Sequence, residues 1–213
     1  MRKTLALTCI TLALTACSGA PHTAAPTPGS YTMNDAELKQ FDRGVQHFEN
    51  GRYQEALAIF LPLAEKGERD ALYNAGVTYR RLNNDGAAIP LLQRAAQLGD
   101  KDAHCTLGNI QDNINSYKSA RRHYEQAAAA GLPCGQNALA DYYLNGLDVK
   151  RDFRKSFALA QQSANQNDAH GQYLLALHYL NSWAVPHNPA EARRWLEKAA
   201  AQGHKRAREQ LSQ

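Results

Sequence analysis

The sequence lacks most of what would announce chemistry. None of its 213 residues forms a phosphate-cradling Gly loop, a nucleophile elbow or a kinase-type signature. That removes the motif-borne routes to nucleotide, acyl and phosphoryl chemistry. Its eight histidines (His22, His47, His104, His123, His170, His178, His187 and His204) are scattered. No pair has the i, i+4 helical spacing with a neighbouring ligand that zinc needs. No catalytic residue, metal or cofactor is therefore expected, and no small-molecule substrate. A charge excess is also missing: 24 Lys and Arg stand against 20 Asp and Glu. A balance that close to neutral gives no electrostatic reason to expect nucleic acid.

A long apolar run is absent too. Thr4 to Leu14 is apolar but too short to span a bilayer as a helix. It follows the positive stretch Met1-Arg2-Lys3 and precedes Leu14-Thr15-Ala16-Cys17. That order is a signal peptide over residues 1–16, with small residues before the cut. Cleavage removes Arg2 and Lys3, which leaves 22 basic against 20 acidic residues. Cysteine is scarce, and the four present sort by position. Cys9 leaves with the signal, Cys17 stands at the cut, and Cys105 and Cys134 remain. Residues 17–32 are rich in Pro, Ala, Ser, Thr and Gly without hydrophobic periodicity, and read as a flexible tether.

What is present is a repeat. A small-small-x-x-Gly pattern ends at Gly99, Gly131 and Gly203, with weaker copies ending at Gly67 and Asn167, so that positions 67, 99, 131, 167 and 203 are spaced 32, 32, 36 and 36. A second series of small residues, Gly44, Gly76, Gly108, Ala140 and Ala176, is spaced 32, 32, 32 and 36. Each terminal Gly or Asn precedes the next small residue by nine. All length variation therefore lies between the two helices of a unit, where the last two units carry four extra residues. A Gly or Asn just past a helix can take the left-handed conformation that caps it. A small residue inside a helix costs up to about 1 kcal/mol and recurs because helices approach closely there. Phe60, Leu92, Tyr124 and Leu196 are the large residues expected to face that gap. The units are 36–67, 68–99, 100–131, 132–167 and 168–203, within a repeat domain over 33–213. Residues 204–213 read as a short basic cap helix, and Pro90 as a residue near a helix start. The fold class is all-α: a solenoid of five antiparallel helix pairs.

The cysteine after the small residues resembles the lipobox of bacterial lipoproteins. That resemblance implies acylation of Cys17, and Ser18 in place of aspartate implies the outer membrane, with the domain facing the periplasm. The stretch Ala71-Leu72-Tyr73-Asn74-Ala75-Gly76-Val77-Thr78-Tyr79 followed by Gln93-Arg94-Ala95-Ala96-Gln97-Leu98-Gly99 resembles tetratricopeptide repeats. Residues 191–203, from Glu191 to the Ala199-Ala200-Ala201-Gln202-Gly203 ending, resemble the Sel-one-like repeat of about 36 residues. The first three units, at 32 residues, lack that family's long inter-helix loop, so the array is mixed.

The resemblance implies a groove lined by the first helix of each pair, at positions six and three before the mid-helix small residue and one, four and five after it. From those positions the partner-binding candidates are Tyr73, Arg80, Arg81, Asn109, Asn113, Asn137, Asp141, Asn145, Tyr173 and Asn181. Asn113, Asn145 and Asn181 recur at one position. Either their amides bind the backbone of an extended peptide, or asparagine simply ends these helices. Arg80 and Arg81 either pair a carboxylate or form a solvated face. Cys105 and Cys134 fall on the same face in adjacent units. A bridge between them has to overcome reach, since helix axes sit about 8–10 Å apart and bridged α-carbons under about 7 Å.

The implied partner is a protein or peptide, bound by a membrane-anchored adaptor in envelope assembly or secretion. One alternative is an immunity or inhibitor protein against a toxin delivered to the periplasm. Another is a cell-wall or β-lactam hydrolase, against which the missing motifs argue. A related cysteine-rich repeat family places two cysteines in every unit. This chain does not, so no penicillin-binding or enzymatic behaviour carries over.

Overall fold

The computed structural model describes residues 31–212. Cys17, the signal segment and the tether up to residue 30 lie outside them. Among the described residues the chain forms eleven helices and no strand: α1 Asp35–Glu49, α2 Tyr53–Glu65, α3 Arg69–Arg81, α4 Asp85–Gln97, α5 Lys101–Asn113, α6 Tyr117–Ala129, α7 Pro133–Asn145, α8 Phe153–Asn165, α9 Ala169–Asn181, α10 Pro189–Ala201 and α11 Lys205–Leu211. They make five pairs and a cap helix. Each packs chiefly on its neighbours in the chain, from α1 on α2 through to α10 on α11. The result is an all-α repeat solenoid.

The helix ends follow from the sequence. Gly67, Gly99, Gly131, Asn167 and Gly203 all have positive φ, from 62° at Asn167 to 90° at Gly203. Each turns the chain out of a second helix and into the next unit. The helix starts are capped by side chains: Asn34, Glu68, Asn84, Asp100, Asp152, Asp168, Asn188 and His204 each accept a backbone N–H of the first turn. Within the first three pairs the helices are joined by three residues, as in 82–84. In the last two they are joined by seven, 146–152 and 182–188.

Close approach holds each pair together. A methyl group at Gly44 would stand 2.6 Å from Phe60 Cε1, one at Gly76 2.7 Å from Leu92 Cγ, and one at Gly108 2.5 Å from Tyr124 Cε1. All three large residues are buried. In the fourth pair the equivalent of Phe60 is Ala160, and Ala140 suffices opposite it; Ala176 packs in one cluster with Leu196. A second tight contact runs between units. Gly135 lies so close to α6 that a methyl there would meet the Ala128 nitrogen at 2.5 Å and the Tyr124 carbonyl at 2.7 Å. Gly171 stands in the same relation to Ser163 and Ala164.

Two expectations need correction. Pro90 is the sixth residue of α4, past the first turn, and Pro62 lies well inside α2. Each forfeits a helical hydrogen bond. Burial of Leu63, next to Pro62, and of Leu92, two residues past Pro90, works against that loss. The tether also ends before residue 32. The Tyr31 hydroxyl donates to the Glu37 carboxylate at 2.8 Å, which also takes Lys66 at 2.5 Å. Lys66, the Asn34 N–H and Tyr31 together lower the Glu37 pKa to about 2.

The backbone at Gly135 cannot move aside as a side-chain tip can. Gly135→Ala is therefore expected to cost about 1–3 kcal/mol by overpacking. Gly86→Ala, whose methyl would meet nothing closer than 3.7 Å, is expected to be neutral or gain up to about 1 kcal/mol. Urea denaturation of both variants against the parent checks the contrast.

Candidate functional site

The first helices of units three to five present one face whose polar groups are tied within and across units. Cys105 of α5 and Cys134 of α7 form a disulfide, with α-carbons 6.1 Å apart. The reach is met because Pro133 and Cys134 open α7, so the bridge joins that helix's first turn rather than two mid-helix positions. The Tyr124 hydroxyl donates to Asn109 Oδ1 at 2.9 Å, and the Tyr142 hydroxyl to Asp112 Oδ1 at 2.5 Å. Burial, reinforced by Asp112, raises the Tyr142 pKa, so this phenol stays a donor. Asn137 Nδ2 donates to Asp168 at 2.7 Å, the same carboxylate that caps α9.

Beyond them runs a relay that sequence reasoning did not assemble. The Ala207 N–H donates to His204 Nδ1 at 3.2 Å. That fixes the His204 proton on Nε2, which faces His170 Nδ1 at 3.3 Å. His170 Nε2–H then donates to Asp141 Oδ2 at 2.9 Å. Tyr173 stacks on the His204 ring with centroids 4.6 Å apart. The register placed Asp141, His170 and Tyr173 on one face. His204 escaped notice because it belongs to the cap.

The ten candidates separate on this geometry. Tyr73, Asn137 and Tyr173 are buried and serve packing between units rather than an open groove. Asn109 and Asp141 are partly exposed and engaged as described. Arg80 faces Asp85 at 3.7 Å and Arg81 lies over the Phe48 ring at 5.9 Å. Asn145 and Asn181 turn their amides back onto the carbonyls of Asp141 and Leu177, so they end their own helices. Arg81, Asn113, Asn145 and Asn181 are exposed, which makes the C-terminal ends of the first helices the accessible edge of this face. Among the described residues no group of three or more His, Cys, Asp and Glu is placed to hold a metal.

Two buried histidines make the array acid-sensitive. Burial lowers His178 to about 4, and burial with help from His170 and Arg206 lowers His204 to about 4. Both are neutral when folded and take up a proton near pH 6.5 when unfolded. The unfolded chain binds more protons below that pH. Stability is therefore whole above pH 6.5 and falls as the pH drops towards 4. His204→Asn, which keeps a capping side chain without a titrating one, is expected to flatten that fall in a series of melting temperatures from pH 7 to 4.

The bridge closes a loop across 29 positions, worth about 3 kcal/mol. Replacing both Cys105 and Cys134 by serine is expected to lower the urea midpoint accordingly. Equal midpoints would remove its structural role.

Comparison with known proteins agrees with this geometry. The Sel1 repeat profile matches residues 114–132, 135–168 and 169–204, and a tetratricopeptide repeat profile matches residues 70–98. The Sel1-repeat-containing protein YjcO of Escherichia coli K12 is 28% identical over 161 residues, 72% of this chain and 70% of that protein. A Sel1 repeat protein from Oxalobacter formigenes superposes with a TM-score of 0.68 at 23% identity, over 83% of this chain and 55% of that one. The chain thus spans about half the length of that structure. An immunity protein from Pseudomonas aeruginosa superposes with a TM-score of 0.59 at 19% identity, over 83% of this chain and 69% of that one. The array is thus built of Sel1-like repeats in its second half and a tetratricopeptide-like repeat before them, repeat types that generally mediate protein–protein binding.

Proposed function

We propose that the chain is a lipid-anchored adaptor that faces the periplasm from the outer membrane and binds an extended protein segment along its first-helix face. The observation that carries this is the linked polar face of units three to five. Its inner groups are linked by the Cys105–Cys134 bridge and by the Tyr142–Asp112, Asn137–Asp168 and His170–Asp141 bonds between units, so the face is ordered before a partner arrives. Its exposed edge, at Asn113, Asn145 and Asn181, still offers donors and acceptors. Little ordering is then left to oppose binding. The disulfide supports an oxidising compartment, since such bonds persist in the periplasm and are rare in the cytosol. The sequence around Cys17 supports the anchor, because several acyl chains on one residue hold where one would be marginal. A non-catalytic role agrees with a face whose polar groups are spent on one another.

A second reading is a stoichiometric inhibitor of a toxin delivered to the periplasm. The fold shared with the Pseudomonas immunity protein favours it.

A photo-crosslinking residue placed at Asn113 or Asn145 in intact cells distinguishes the readings. We expect a discrete adduct from both positions and none from Arg193 on α10. A multiprotein envelope complex supports the adaptor, and one toxin-sized partner supports the inhibitor. Adducts equal from all three positions would sink the groove. Cys17→Ser is expected to leave the precursor uncleaved and outside the membrane fraction, and a cleaved, membrane-bound product would refute the anchor.

A further inference from the structure

The four extra residues in each of the last two units build a second feature, away from the first-helix face. Loops 146–152 and 182–188 stand side by side and close a cleft of about 990 Å³ with the start of α8. Both loops are held the same way. The Asp152 N–H returns to the Tyr143 carbonyl at 2.9 Å, and 36 residues later the Asn188 N–H returns to the Tyr179 carbonyl at 3.1 Å. Gly146 and Ser182 begin them in the left-handed region. The cleft is therefore formed in advance by two equivalent, pinned loops.

Its chemistry is two-sided. The floor is apolar: Phe153 and Trp183 stack with ring planes 7° apart and centroids at 5.6 Å, both half-buried, beside Val149 and Val185. The rim is basic: Lys150, Arg151, Arg154 and Lys155 are all exposed, and none is ion-paired among the described residues. Arg151 lies 5.9 Å over the Phe153 ring and Lys155 5.0 Å over the Tyr143 ring, so two of the charges border the aromatic surface. The neighbouring carboxylates are occupied. Asp152 caps α8 by accepting the Lys155 N–H, and Asp148 takes Arg121 at 2.9 Å. Four cations thus face the opening with no carboxylate left to neutralise them.

We propose that this cleft is a second binding site, for an acidic peptide segment in which carboxylates flank an aromatic or bulky apolar side chain. The four charges lie along one stretch of chain, residues 150–155, opposite the uncharged loop residues 182–186, and such a row suits several carboxylates along a chain better than a single phosphate. The aromatic floor adds a demand that no simple anion meets. A bilayer surface presents a broad sheet of anionic headgroups, whereas the aromatic floor lies between two loops. The cleft also lies in units four and five, while the chain enters the array at residue 31 beside α1.

The test uses the full-length lipidated chain in a neutral detergent and the labelled probe peptide Glu-Glu-Phe-Glu-Glu, read by fluorescence anisotropy. Saturable binding is expected, weakening as salt rises. The paired variant Lys150→Glu with Arg154→Glu, both side chains exposed, is expected to weaken it at least tenfold with an unchanged melting curve. Probes with glutamines for the glutamates, or glycine for the phenylalanine, are expected to bind at least tenfold more weakly. The proposal is overturned by any of four results. The probe fails to bind; the paired variant binds it unchanged; the glycine probe binds as tightly, which marks mere surface charge; or inorganic phosphate or phosphatidylglycerol vesicles displace it at lower concentration.

Discussion

Two helices pack closely only where one of them gives up its own side chain to make room for the other's. In this array that surrender is made at Gly44, Gly76 and Gly108, under Phe60, Leu92 and Tyr124. It is made again between units at Gly135 and Gly171, where backbone meets backbone. Dispersion and apolar burial across these contacts supply most of the attraction, and both fall off within an ångström. The distance from each unit's terminal turn to its next small residue is therefore constant. The loop inside a unit touches no such contact and is free to lengthen.

That freedom is what separates the two candidate surfaces. On the first-helix face the constraint brings α5, α7, α9 and α11 near enough for their polar groups to meet, and they are consumed by meeting. Cys105 bonds Cys134, Asn137 serves Asp168, and Asp141 holds a histidine pair that ends on the cap helix. The face gains rigidity and keeps only an edge for a partner. On the loop side the chain is unconstrained by packing, and the longer loops retain unpaired cations over an aromatic floor. Repeat arrays respond to pressure on a loop more readily than on a helix face for this reason.

The terminal residues 67, 99, 131, 167 and 203 were legible because a left-handed cap accepts few residue types, and each of the five positions has positive φ. The Gly76–Leu92 type of contact was legible because small and large residues alternate at a fixed interval. The partner-facing set was only half legible. A helix register states which side chains share a face, but not how deep they lie, and Tyr73, Asn137 and Tyr173 are buried by the next unit. Asn145 and Asn181 took the helix-ending role that their residue type equally allowed. Pro90 was misplaced because a proline at the sixth position of α4 has no local signature that separates it from the first turn. The loop cleft carried a signal, the insertion of four residues, but its basic and aromatic lining comes together only when residues 149–155 meet residues 182–186.

Native-state amide hydrogen exchange tests most directly whether the array is one stack whose centre is tied by the bridge and the inter-unit bonds. In the oxidised protein the amides of α5, α7 and α9 should exchange as one slowest block, with α1 and α11 faster at the two ends. After reduction, α7 to α11 should lose protection together while α3 and α4 keep theirs. Protection that is uniform along the chain, or unchanged by reduction, would contradict it.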